Sequence, residues 1–369
     1  MKFTCSQGAL ARSLNTVSKA VSIRTTIPIL KGILLSVKGN ELTITASDLD
    51  LSIETKMEIQ GGEDGSAVVS SKLFSDIVRR LPNAILQIEE ENGKVDISCL
   101  GSHFSIVSQP ADEFPAIGMV NQLSKISVKK DDLKDLIKKT TFAASIDEKK
   151  GILVGCLLRF TGERLEMAAL DGFRLAVANC EMKTEEEKKV VIPARILAEI
   201  QKILMESAEE EEVSLVLDNK RAEIITKETR IVARLLEGEF IKYEDIIPKT
   251  YKTRLILSRE DLLSGIERAS LLSKEGKNNL IKMEVSDGKI EITSRSEEGD
   301  SRETVSCEFE GDELMIGFNS KYLADALKVI GDDEIALEMS SPISPCLIKP
   351  VEGDSYTYLV LPVRISANS

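Results

Sequence analysis

The chain has 369 residues, 42% hydrophobic and 30% charged, and its 61 acids against 48 Lys and Arg give a net charge of −13. That balance describes folded domains rather than a disordered chain, and the length allows two or three of them. No apolar run approaches the roughly 18 residues that cross a bilayer. The opening MKFTCSQGAL lacks the apolar core and cleavage site of a signal peptide, so a cytoplasmic protein is expected.

The residue inventory also limits the chemistry. Six cysteines (Cys5, Cys99, Cys156, Cys180, Cys307 and Cys346) lie far apart with no CxxC pair, which in a reducing compartment reads as small apolar residues. One histidine, His103, cannot build a multi-histidine zinc site, and it sits in the strand-like run SCLGSHFSIV. No GxxxxGK[ST] loop occurs and no GxGxxG opens a helix. Carboxylates are abundant, but context distinguishes no pair of them. No catalytic residue, metal or cofactor is therefore assigned. The acidic sum argues against phosphate binding, yet a sum does not say where the charges sit.

In chain order, Phe3 and Cys5 alternate as in a strand, and Leu10, Leu14, Val17 and Val21 then follow helical spacing. GNELTITA next places a glycine turn before a strand, and SSKLFSDIVRRL reads as a second helix. At Ile126 the series begins again: Ile126 and Val128, then Leu133, Leu136 and Ile137, then GERLEMAA, then PARILAEIQKIL. At Leu255 it begins a third time: Leu255 and Leu257, then Leu262, Ile266 and Ala269, then DGKIEITS, then NSKYLADALKVI. Ser258 followed by Asp261 predicts a cap for that third opening helix.

Leu10, Leu133 and Leu262 align at offsets of 123 and 129, Leu42, Leu165 and Ile290 at 123 and 125, and Lys72, Arg195 and Lys321 at 123 and 126. Three landmarks in one order imply three tandem copies of an α+β domain of about 120 residues, each with two helices and many short strands. The expected domains are 1–122, 123–250 and 251–369, with joints near NQLSK (121–125) and IPKTYKT (247–253). The period is far longer than the 20–50 residues of solenoids. EMKTEEEKK and ESAEEEEV read as solvated loops. Sheet edges in such domains must be protected or paired, and edge-to-edge pairing closed by a second copy would leave none free.

The charges are not spread evenly. The helical segments 8–24, 72–82, 129–139, 193–206, 259–277 and 319–329 hold 19 Lys and Arg against 11 Asp and Glu, leaving −21 for the rest of the chain. Helices favour Lys and Arg in general, but Glu is an equally good helix former. The asymmetry suggests a mildly basic lining and an acidic exterior, able to touch phosphates without reading sequence. Arg79, Arg80 and Arg195 are phosphate-facing candidates on this ground alone.

RTTIPIL (24–30), ADEFPAI (111–117), LDGFRLAV (170–177), EGEFIKYEDIIP (237–248) and YLVLPVRI (358–365), in order and beside a threefold repeat, resemble the bacterial DNA sliding clamps, the β subunits of DNA polymerase III. The resemblance covers essentially the whole chain. It implies a head-to-tail homodimeric ring of six domains, with helices lining a hole and a continuous antiparallel sheet outside. The implied function is a non-catalytic DNA polymerase processivity factor that encircles and slides on duplex DNA. Implied partners are the polymerase III catalytic subunit, a clamp loader, and other polymerases and repair proteins carrying short peptide motifs.

Residue by residue, the family's peptide pocket maps onto Leu153, Leu170, Gly172, Phe173, Arg174, Leu175, Ile241 and Ile246. It continues on Asn319, Tyr322, Ile343, Pro345, Leu359, Leu361, Pro362, Val363 and Arg364. Relatives often carry Thr and His at the positions of Leu170 and Phe173, and Pro at that of Ile241, so this pocket should remain apolar with its own peptide preference. The ring joint maps onto Leu271 and Leu272 of one chain against Leu73, Ile77 and Phe104 of the other. Arg24, Lys149 and Lys150 match loops that face the duplex. The competing reading is a tandem-domain peptide-binding scaffold that never encircles DNA; it keeps the apolar groove but needs no closed ring.

Overall fold

The computed structural model describes residues 1–22, 25–118, 125–184, 187–206, 212–273, 279–286 and 288–365. Arg24, most of the NQLSK joint and residues 207–211 of the second acidic stretch lie outside the described residues.

Among the described residues there are six α-helices, two per repeat: α1 (Gln7–Val17), α2 (Ser71–Arg80), α3 (Lys130–Thr140), α4 (Ala194–Glu206), α5 (Arg259–Ser273) and α6 (Ser320–Val329). Side chains outside the helices fix several starts. Ser6 Oγ accepts from the Ala9 amide, Ser70 Oγ from Leu73, Ser258 Oγ from Asp261, and Asn319 Oδ1 from Lys321. Such caps satisfy amides that have no partner within the helix. α1 buries Leu10, Leu14 and Val17, the predicted apolar face, but ends at Val17 and passes into a 3₁₀ turn over Ser18–Ala20. α2 buries Phe74, Ile77 and Val78 and leaves Arg79 and Arg80 exposed in its last turn, where cations suit the helix dipole. Each aliphatic or aromatic side chain so buried contributes about 2 kcal/mol before entropy is counted.

The chain divides into two compact units, Met1–Asp131 with Glu199–Leu235, and Asp132–Ala198 with Leu236–Ser369. The division runs through the middle repeat, and strand pairing gives the reason. In the first unit a 13-stranded sheet joins the strands of the first repeat to Lys125–Lys129, Glu212–Leu217, Arg221–Ile225 and Thr229–Arg234. The join is antiparallel, from Thr55 opposite Thr229 to Leu51 opposite Ala233. In the second unit a nine-stranded sheet makes the equivalent join, Arg174 opposite Val360 through Ala178 opposite Tyr356. A four-stranded sheet, with Gly299–Ser306 at one edge, completes that unit. Each half of the middle repeat thus closes its open edge on a neighbouring repeat.

The repeats agree in fine geometry. Asp48 Oδ1 accepts from the amides of Asp50 and Leu51, and Asp171 Oδ1, 123 residues on, accepts from Phe173 and Arg174. After each turn the next strand pairs alike: Arg234 donates its amide to Asp50 O at 2.7 Å, and Leu361 to Phe173 O at 2.9 Å.

Candidate peptide-binding site

The candidate pocket residues lie in the second unit, around the turn between strands Arg164–Leu170 and Arg174–Glu181. Gly172 has φ of +94°, a conformation that costs a side-chain-bearing residue energy, so glycine is the natural occupant of this turn. Asp171 clamps the turn from within by accepting two amides at 2.8 and 3.1 Å. The turn therefore holds Phe173 at its crest, where it is 53% exposed.

Arg174 anchors the same turn from below. Its Nε lies 3.1 Å from Asp171 Oδ2 and its Nη1 2.6 Å from Asp325 Oδ2 on α6. The guanidinium also lies 4.7 Å from the Tyr322 ring centroid and 5.4 Å from that of Phe142. Tyr322 in turn stacks on Phe173 with centroids 6.1 Å apart. Burial, with the nearby Asp171 carboxylate, pushes the Tyr322 hydroxyl above its ordinary value, so it is neutral at physiological pH. Lys150 Nζ donates to Asp171 O at 2.6 Å and lies 5.4 Å from the Phe173 ring centroid.

Beneath this lies an apolar floor. Leu170, Leu175 and Leu359 belong to one buried cluster with Tyr243 and Leu347, and Leu153 and Phe240 pack on it. Leu175 is 1% exposed, whereas Ile343 is 76% exposed; Ile241, Ile246 and Leu361 are exposed as well. Pro345, Pro362 and Val363 are half-buried, Arg364 is exposed, and Val363 is held by its amide to Gly317 O at 2.8 Å. Asn319 is committed to capping α6. A packed apolar floor beneath exposed apolar groups, ordered by a few charged groups, can take the side chains of a short apolar peptide.

The family descriptions for the DNA polymerase III beta subunit match residues 1–118 (N-terminal domain), 127–242 (central domain) and 244–364 (C-terminal domain). The chain belongs to the DNA polymerase III β-subunit family, the sliding clamps. It is 36% identical to the beta sliding clamp of Bacillus subtilis over 99% of this chain and 100% of that one. A crystal structure of the Bacillus subtilis DNA polymerase sliding clamp superposes with a TM-score of 0.95 at 34% identity, covering 99% of this chain and 100% of that chain. The Pseudomonas aeruginosa DnaN sliding clamp bound to griselimycin matches with a TM-score of 0.94 at 29% identity and the same coverage.

Several residues of this clamp's candidate site were not singled out from sequence: Asp171, Asp325 and Phe142, which hold Arg174. Asp171 alone had a local signal, an Asp two residues before a turn residue whose amide it accepts. The other interface candidates sit in separate units. Leu73 and Phe104 are exposed and Ile77 is largely buried in the first unit; in the second, Leu271 is 66% exposed and Leu272 half-buried at the end of α5. Phe104 lies on strand Ser102–Gln109, which pairs with Lys94–Cys99 on one side and, among the described residues, only with Val68 and Val69 on the other. Lys149 and Arg195 are exposed. Cys5, Cys99, Cys156 and Cys346 are buried, Cys180 and Cys307 half-buried, and none of the six is joined to another in a disulfide. His103 shares a hydrogen bond with Ser98 Oγ at 3.1 Å in a strand pair. No helix among the described residues is long and apolar enough to cross a membrane.

Proposed function

We propose that this chain is a non-catalytic processivity factor for a replicative DNA polymerase, acting in the cytoplasm as a head-to-tail homodimeric ring around duplex DNA. Membership of the sliding-clamp family along its whole length carries this reading. The edge of Ser102–Gln109 with Phe104, together with Leu73 and Ile77 of α2, would meet the exposed Leu271 and the half-buried Leu272 of the partner subunit. Arg79, Arg80, Arg195, Lys149 and Lys150 would face the duplex, and Arg24 is added on the family likeness alone. A ring held by topology needs only weak phosphate contacts, and the net charge of −13 opposes adhesion elsewhere. The polymerase, the loader and repair proteins would dock short apolar motifs into the pocket around Phe173, Leu175 and Leu361.

Retention on circular DNA tests the encirclement. Clamp loaded on a nicked plasmid by a loader should stay with the DNA through high-salt gel filtration and be lost when the plasmid is cut once. Equal retention on the linear form would contradict encirclement and favour a scaffold that binds DNA or partners without a ring.

A further inference from the structure

The turn that presents Phe173 has a counterpart in the first unit, and a pocket of about 280 Å³ opens beside it. The counterpart positions follow from the offset of 123 residues, from the matching aspartate-clamped turns, and from the matching strand that pairs after each turn. Ser47, Asp50 and Ser52 stand where Leu170, Phe173 and Leu175 stand, and Arg234 stands where Leu361 stands. The framework is kept while the apolar side chains are replaced by polar and charged ones.

The lining points to what this pocket takes. Lys220, Arg221 and Arg234 line it with Asp50 as the only acidic residue among the described lining residues, in a chain that is acidic overall. Arg221 and Arg234 are directly opposite on adjacent strands, an arrangement of like charges that destabilises a sheet pair. Asp50 lies 3.9 Å from Arg234 and offsets one of the two. The Arg221 guanidinium lies over the Gly118 backbone, so close that a Cβ there would fall 1.6 Å from Nη1; glycine makes room for it within the pocket. Ile117 and Val232 add apolar wall beside the cations, a surface suited to the aliphatic stem of a glutamate.

We propose that this pocket is a second ligand site, which takes an acidic peptide segment and seats its carboxylates between Arg221 and Arg234. It is distinct from the apolar pocket around Phe173 and does not depend on it. Bidentate pairing of guanidinium with carboxylate supplies the recognition, and the ligand relieves the cross-strand repulsion.

Fluorescence anisotropy with a labelled glutamate hexapeptide at low salt tests the proposal on the full-length protein. Saturable binding is expected, weakened about tenfold or more in Arg221→Ala/Arg234→Ala, the loss of a charge-assisted pair. Lys220→Glu, at an exposed bend outside the strands, should also weaken binding while leaving the sheet intact, so a misfolded double variant does not remove the test. A glutamine hexapeptide should not bind. Absent binding by the wild-type protein, equal binding by Lys220→Glu, or equal binding of the glutamine peptide would overturn the site. Displacement by inorganic phosphate at the same concentration as the peptide would overturn the peptide assignment.

Discussion

Arg174 donates from Nη1 to Asp325 Oδ2 at 2.6 Å across 151 residues of sequence, fastening the turn that carries Phe173 to helix α6. Both side chains are mostly shielded from water, so each depends on the other for compensation. Asp325→Ala should therefore cost roughly 1–3 kcal/mol of stability by leaving a shielded guanidinium short of a partner. Peptide affinity should fall with it, because Tyr322 and Phe173 lose a common support. Thermal denaturation and peptide titration of the same variant check both effects; a variant as stable and as tight as wild type would contradict the anchoring role.

Phe173→Ala separates binding from stability. The ring is exposed and held by Tyr322 and Lys150 rather than by the core. Its removal should shift the melting midpoint little, yet weaken a polymerase-derived motif by at least about tenfold, as loss of an aromatic anchor does. Leu175→Ala should do the reverse in part: a fully buried floor residue costs about 2–5 kcal/mol when truncated, and binding falls as the floor collapses.

The fold was legible where its signals are local. Apolar spacing located α1, with Leu10, Leu14 and Val17 buried as expected, and Ser258 caps α5 through the predicted Asp261 amide. The same spacing overran helix ends, because the apolar Val21 continues the pattern after α1 has passed into a 3₁₀ turn. The partition of the middle repeat between two units was hidden, since it depends on which strand edges pair over long separations. In the site, Leu170, Leu175 and Leu359 were named only by the resemblance to the sliding clamps; they share one buried cluster. The Asp325 partner of Arg174 was not, because nothing within one turn of either residue marks it.

Buried thiols should make the protein alkali-sensitive. Burial pushes Cys5 and Cys346 up from 9.0 to about 12, the nearby Glu338 adding to the effect at Cys346, and raises Cys156 further. A folded value above the unfolded one means the stabilisation is complete below pH 9 and declines from there toward pH 12, as only the unfolded chain loses its proton. Each such thiol should cost about 1.4 kcal/mol per pH unit in that window. Cys346→Ala should show a shallower fall of melting midpoint between pH 9 and 11; an unchanged slope would contradict the assignment.

Leu271→Ala/Leu272→Ala should convert the dimer to monomers without unfolding them, since Leu271 is exposed in the single chain and Leu272 only half-buried. Sedimentation at micromolar concentration, with circular dichroism on the same sample, checks both halves. A double variant that remains dimeric would place the joint elsewhere.

A closed ring is tested by the solution mass of the wild-type protein, measured by light scattering, with negative-stain images of the same peak. The expected result is a mass twice the 40.6 kDa of the chain and particles with a central hole wider than a DNA duplex. A monomer at micromolar concentration, or a dimer without a hole, would contradict it and leave a tandem-domain peptide-binding scaffold.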